Sequence, residues 1–196
     1  MIKTILTSIF SIILLNGCIS ITKELPAKKT YSLSFKNDTI KSKYHNKTIH
    51  IYEPKALTSI NTKAITYSKE FEQEKYALSK WSDKPTKMIQ EVLANYLVNK
   101  NSFKYITTSN IKINSDYSLV SQLVDFKQTF TNNNSYADFS IRVYLINNKT
   151  ENVYFKSFTY NQKTNTNDAK GVVIAFNTIT TKFLKDLDEF IISSIN

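Results

Sequence analysis

"SYADFSIRVYLINNKTENVYFKSFTYN", residues Ser135 to Asn161, decides the class of fold. Ala137, Phe139, Ile141, Val143 and Leu145 alternate with Asp138, Ser140 and Arg142. Successive side chains of an extended chain point to opposite faces, so a period of two marks a strand with one buried face. A second run of strand character, "ENVYFKSFTYN", follows the short "NNKTE". Short, asparagine-rich connections suit tight hairpins, so the two runs are expected to pair antiparallel.

Toward the N-terminus, "YSLVSQLVDFKQTF" is a long alternating segment joined to the first by "TNNNS". Its alternation predicts that Val120, Val124, Phe126 and Phe130 share one face, with Asp125 on the solvent side opposite Phe126. Three strands linked by hairpins form an antiparallel meander with one face free to hold helices. Shorter strands are expected at "TYSLSF" (Thr30 to Phe35), at "KTIHIYEP" before Pro54, at "TKAITYS", at "EKYALSKW" and at "SFKYITT".

Two segments change to helical period. In "WSDKPTKMIQEVLANYLVNKN", Met88, Ile89, Val92, Leu93, Tyr96 and Leu97 make one apolar stripe. Ser82 or Asp83 is the expected cap, Pro85 suits the first turn, and Asn99 and Asn101 end the helix. In "NDAKGVVIAFNTITTKFLKDLDEFIISSI", Asn167 or Asp168 is the expected cap. The stripe there runs from Val172 through Phe176, Phe183 and Leu187 to Ile191. This reads as a core helix packed on the sheet, with a partner-facing helix as the alternative. The class is α+β: a single domain over residues 31–196, mainly antiparallel, with the meander in its C-terminal half and two amphipathic helices on one face.

The N-terminus has a different logic. "ILTSIFSIILL", Ile5 to Leu15, follows a lone Lys3 and is too short for the roughly 20 apolar residues of a spanning helix. It reads as the hydrophobic region of a signal peptide, residues 1–17. "LNGC" then supplies Leu15, Asn16, Gly17 and Cys18, the pattern of a lipoprotein signal-peptidase site. Cys18 is the only cysteine, so it is read as a diacylglycerol attachment site rather than half of a disulfide. One acyl chain binds a membrane only marginally, whereas two or more hold. Residues 18–30, with Pro26, read as a tether. Ile19 after the cysteine, where an Asp would favour retention in the inner membrane, leaves the outer membrane as the expected destination.

The formal charge is +10, from 26 basic and 16 acidic residues, and only Arg142 is an arginine. Nucleic-acid readers favour arginine for bidentate contacts, so nucleic acid is not an expected partner. Scattered lysine among abundant Asn and Ile reads as a solvated surface; attraction to anionic head groups or an acidic envelope polymer is the other reading. Glycine occurs only at Gly17 and Gly171, which excludes the glycine loops of Rossmann and P-loop sites.

No nucleophile–base pair or metal-ligand spacing stands out, so neither catalysis nor a metal or cofactor is expected. His45 and His50 lack a second ligand set and read as surface residues. Asp116, Asp125 and Asp138 are dispersed. Trp81, the only tryptophan, reads as a structural aromatic at the strand-to-helix turn, with partner or lipid contact as the alternative.

Taken in order, these pieces resemble the ABC-type transport auxiliary lipoprotein family, which includes the PqiC-like components of MCE-type intermembrane lipid transporters. The resemblance runs from about Tyr31 to Ile192. It rests on "LNGC", the early "YSL" with Tyr31 and Leu33, "IHIYEP", "AITYS", and "YALSKWSDKPTKMIQEVLANYL" with Tyr76, Trp81 and Pro85. Asparagines stand where the family often has glycine in its hairpins. The resemblance implies a non-enzymatic periplasmic component anchored in the outer membrane through acylated Cys18. Its partners would be an MCE-domain protein with an inner-membrane permease and ATPase, and further copies of itself in a ring. The alternative is a freestanding lipoprotein that holds a lipid or small molecule between the last helix and the sheet.

Overall fold

The computed structural model describes residues 26–36, 45–108 and 114–195. Leu15, Asn16, Gly17 and Cys18 lie outside the described residues, as does most of the tether. The strands are β1 (Lys29–Tyr31), β2 (His45–Ile51), β3 (Ala64–Lys69), β4 (Glu72–Trp81), β5 (Phe103–Thr107), β6 (Tyr117–Thr131), β7 (Asn134–Asn147) and β8 (Val153–Lys163). The helices are α1 (Pro85–Lys100) and α2 (Ala169–Ile195). No described helix is long and apolar enough to cross a membrane.

β6 organises the single sheet because it is long enough to serve two neighbours along one side. On the other side it pairs antiparallel with β7 along its whole length, from Tyr117↔Asn147 to Thr131↔Asn134. β7 pairs in turn with β8. This is the meander that the alternation of Ser135 to Asn161 predicts. On the shared side, the start of β6 receives β2 in parallel, through Ile49↔Tyr117 and Ile51↔Leu119. The end of β6 receives β3 in parallel, through Tyr67↔Gln128 and Lys69↔Phe130. β5 extends the first branch in parallel; β4 extends the second antiparallel, with β1 beyond it in parallel. The sheet is therefore mixed, with its longest ladders antiparallel.

Both helices pack on the same face. Ile49, Ile51, Leu119 and Leu123 are buried with Ile89, Leu93 and Leu97 of α1. Beneath α2 the filling is aromatic. Phe126 and Phe176 stack with centroids 4.0 Å apart, and Trp81 meets both at 5.4 and 5.9 Å. Phe183 packs on Phe139 and Phe158, each at 5.3 Å. The space in which a freestanding carrier would hold lipid is thus occupied by side chains.

Four expectations are corrected. First, Val120 and Val124 do not share the inner face with Phe126 and Phe130. The register passes from Leu123↔Ile141 to Asp125↔Ser140, leaving Val124 as an extra bulged residue. A bulge shifts the phase by one, so Val120 and Val124 turn outward and are half-buried and exposed, while Leu123 and Phe126 are both buried. Asp125 does face outward, 3.1 Å from the Lys127 Nζ.

Second, the strand expected over Thr30 to Phe35 stops at Tyr31. Ser32 to Lys36 continues as an irregular strap that buries Leu33 and crosses α2, where Ser34 N–H donates to the Asn177 Oδ1 at 2.9 Å. Third, neither Ser82 nor Asp83 caps α1. Lys84 occupies that position without a side-chain bond, Asp83 instead accepts from Lys84 N–H at 2.8 Å, and Pro85 opens the helix. Asn101 closes it with φ of 53°. Fourth, His45 and His50 are buried. His45 packs on Phe103, and the His50 Nδ1 lies 2.8 Å from the Thr107 Oγ1 with Tyr52 edge-on at 4.3 Å. Burial holds the His50 pKa below its ordinary value.

Asp116 ties the start of β6 to β2. Its Oδ2 accepts from the Thr48 N–H at 2.9 Å and its Oδ1 faces the Lys149 Nζ at 3.0 Å. The Thr48 amide first, and Lys149 second, hold its pKa at about 2. A carboxylate depressed on folding contributes stability that is complete above its unfolded pKa of about 3.9 and is lost as the folded group protonates. Asp116→Asn is therefore expected to be less stable than the parent at neutral pH. The gap measured by urea titration is expected to close between about pH 4 and about pH 2.

Candidate functional site: a cleft between two hairpin turns

The β3–β4 and β6–β7 turns stand side by side at one end of the sheet because β3 pairs with the end of β6. Both turns are tight. Lys69 pairs with Glu72 and Thr131 with Asn134, leaving two residues at each tip. Glu70 and Asn132 take left-handed φ values of 56° and 54°. Asparagine accepts this region readily, which explains why an Asn-rich chain closes a hairpin without glycine. Phe71, beside Glu70, is fully exposed.

Between the turns lies a cleft of about 760 Å³ whose walls include Tyr67, Tyr76, Phe130, Asn132 and Asn167. Tyr67 packs on Tyr76 at 4.9 Å and edge-on to Phe130 at 5.6 Å. Beneath this aromatic floor runs a buried polar chain. Tyr76 O–H donates to the Gln128 Oε1 at 2.6 Å, and the Gln128 Nε2 donates to the Ser135 Oγ at 2.8 Å. The Ser135 Oγ lies 2.6 Å from the Thr164 Oγ1 and donates to the Asn167 Oδ1 at 2.8 Å. Asn167 in turn donates to the Asn133 carbonyl at 2.9 Å. A buried amide costs stability unless both its ends are bonded, and Gln128 is bonded at both.

Burial, then the nearby Asp168 charge, pushes the Tyr76 phenol up to about 12, so it stays a neutral donor at physiological pH. Burial also raises Tyr160, whose hydroxyl donates to the Asp186 Oδ2 at 2.7 Å. Among the described residues, no three His, Cys, Asp or Glu side chains gather where a metal ion could sit.

The residues named by family resemblance do not form one site. Tyr76 belongs to the cleft. Trp81 is buried in the aromatic layer under α2, so its contacts are with Phe126 and Phe176 rather than with a partner or lipid. Pro85 begins α1, Leu33 is a core residue of the strap, and Tyr31 is half-buried at the end of β1. Gln128, Ser135, Thr164 and Asn167 escaped sequence reading. The available signal was Gln128 itself, a polar residue flanked two away by Phe126 and Phe130 on an inward face.

No protein-family model and no curated protein matches the sequence. Solved structures do match. A protein from Xanthomonas campestris of the DUF330 family model superposes with a TM-score of 0.73 at 16% identity, over 82% of this chain and 92% of that one. An uncharacterized protein matches with a TM-score of 0.65 at 10% identity, over 84% and 99%. A hypothetical protein from Chlamydia trachomatis matches with a TM-score of 0.53 at 10% identity, over 74% and 98%. The chain thus has the single-domain α+β fold of the DUF330 protein, with a curled mixed sheet and two helices.

Proposed function

We propose that this protein is a lipid-anchored periplasmic docking component of an MCE-type ABC transport system. Such a system moves phospholipid or another hydrophobic molecule between the inner and outer membranes. What supports the reading is the "LNGC" site ahead of a domain whose order of motifs resembles that of the auxiliary lipoproteins. Two of those motif residues have a shared structural meaning here. Trp81 and Pro85 fix the passage from β4 into α1, so their spacing belongs to the architecture. In this reading Cys18 carries the acyl chains, the outer membrane holds the anchor, and ATP hydrolysis belongs to the partner ATPase. The protein itself is a non-enzymatic collar. β8 pairs only with β7 among the described strands, so its other side, Val153 to Lys163, is open to strand addition between copies in a ring.

The test is phospholipid exchange between the membranes, followed by pulse-chase labelling. Deleting this chain is expected to slow exchange as much as deleting the permease, and the double deletion to add nothing. Unchanged exchange, or additive defects, would contradict the proposal. The anchor is checked separately. Cys18→Ser is expected to lose labelling by radioactive palmitate and to accumulate as the unprocessed precursor; normal processing of that variant would remove the anchor from the account.

A further inference from the structure

α2 turns one stripe away from the core. Ile174, Thr178, Thr181, Lys182 and Lys185 recur at helical spacing on that side, and Ile174 remains 45% exposed. The strap crosses this stripe without joining the sheet. Beyond the Ser34 bond to Asn177, the Lys36 N–H donates to the Thr181 Oγ1 at 3.2 Å, and Phe35 is fixed edge-on against Tyr96 of α1 at 5.6 Å. Strap and helix enclose an open groove of about 570 Å³, within the size range of sites that take amphiphilic ligands.

The groove joins two chemistries. Phe35 and Ile174 give it apolar walls, and Lys36, Lys182 and Lys185 give it three cationic side chains, with no acidic residue among the described residues of its lining. Lys182 extends over the Tyr160 ring at 5.5 Å, and the nearby Asp186 carboxylate accepts from the Tyr160 hydroxyl. Thr178 and Asn177 add a hydroxyl and an amide to the lining. Long lysine stems lie along carbon while their ammonium groups reach outward, the arrangement found where a protein meets a bilayer surface.

We infer that the groove between the strap and α2 seats an anionic phospholipid of a membrane surface, its phosphate against the lysines and its first methylenes against Phe35 and Ile174. The charged side chains among the described residues of the lining are all cationic, the sign that a negative leaflet attracts. The chain path agrees. β1 leads directly into the strap, and Cys18 precedes Ser32 by fourteen residues, so the two are separated by at most about 46 Å of extended chain. The inference deepens the proposed lipid-transport role, and rests on it only for the presence of a membrane within reach.

A chain beginning at Ile19 keeps every described element and lacks the acylated cysteine, so its failure to bind would leave the anchor and docking proposals standing. Its binding is measured by co-sedimentation with vesicles of phosphatidylcholine and of an equal mixture of phosphatidylcholine and phosphatidylglycerol. The parent is expected to prefer the anionic vesicles by on the order of a hundredfold, since each lysine near such a surface contributes several-fold. Replacing Lys36, Lys182 and Lys185 together by Gln is expected to abolish most of that preference. The exposed Lys47, Lys75 and Lys104, changed together to Gln, alter net charge equally and are expected to leave most of it. Ile174→Ser is expected to weaken binding several-fold at constant charge. Equal losses in the two triple variants would assign the effect to net charge alone and overturn the inference, as would retained preference in the groove variant or an unaffected Ile174→Ser protein.

Discussion

Trp81→Ala is expected to lower the unfolding free energy by about 3–5 kcal/mol, the cost of removing a large aromatic from a packed core. Trp81 is 1% exposed and touches both members of the Phe126–Phe176 stack. It joins β4, β6 and α2, three elements far apart in the chain. Its backbone N–H also donates to the Lys63 carbonyl at 2.7 Å, holding the passage into α1. A domain of this size has roughly 5–15 kcal/mol in total, so the loss is a large fraction of its stability. Urea denaturation followed by circular dichroism measures it. Val98→Ala on the exposed side of α1 is the control, expected within about 0.5 kcal/mol of the parent.

The second large effect is at Gly171, in the first turn of α2. An alanine in an exposed helix is favourable over glycine by about 1 kcal/mol, so propensity predicts a gain. The surroundings reverse the sign. A Cβ at this position would overlap the Thr166 carbonyl oxygen and stand 2.5 Å from the Thr166 Oγ1. Thr166 cannot easily yield, because its hydroxyl donates to the Asp168 Oδ1 at 2.7 Å, and the same carboxylate oxygen caps the helix by accepting from Gly171 N–H at 2.7 Å. Gly171→Ala is therefore expected to destabilise the protein by about 1–3 kcal/mol net. The midpoint of urea denaturation checks it, and a midpoint at or above that of the parent would show that the Thr166 turn relaxes freely.

The parts of the fold legible in the sequence were those written in a local period. β7 alternates without interruption, and its inward residues, Ala137 to Leu145, are all buried as expected. α2 likewise declares its buried stripe from Val172 to Ile191. The period failed in β6 because one inserted residue, Val124, reverses the faces while leaving composition unchanged. The parallel neighbours of β6 were also hidden. Which strands meet depends on where long connections return, and strand period carries no information about that. His45 and His50 were misplaced for a related reason: their burial comes from β5, which packs beside β2 from more than fifty residues away. The cleft was partly visible through Tyr76. The place of Gln128 in its polar floor was in phase with Phe126 and Phe130, but the bond from Gln128 to Ser135 depends on how β6 and β7 pair, which the period does not carry.

The strap shows how local period and tertiary demand can separate. "TYSLSF" alternates as a strand would, yet Leu33 is buried in the core without its backbone joining the sheet. The strap's backbone partners become the side chains of Asn177 and Thr181. That substitution of side-chain for ladder bonds leaves the groove open along α2, shortly after residues 18–30, the expected tether.

The docking claim is tested most directly by affinity purification of the tagged, acylated chain from gently crosslinked cells, with mass spectrometry of the proteins that accompany it. The account predicts specific enrichment of an MCE-domain protein with its permease and ATPase, lost when the crosslinker is omitted under dissociating conditions. A preparation that carries lipid but none of these proteins would contradict the docking role and assign the protein to freestanding lipid binding.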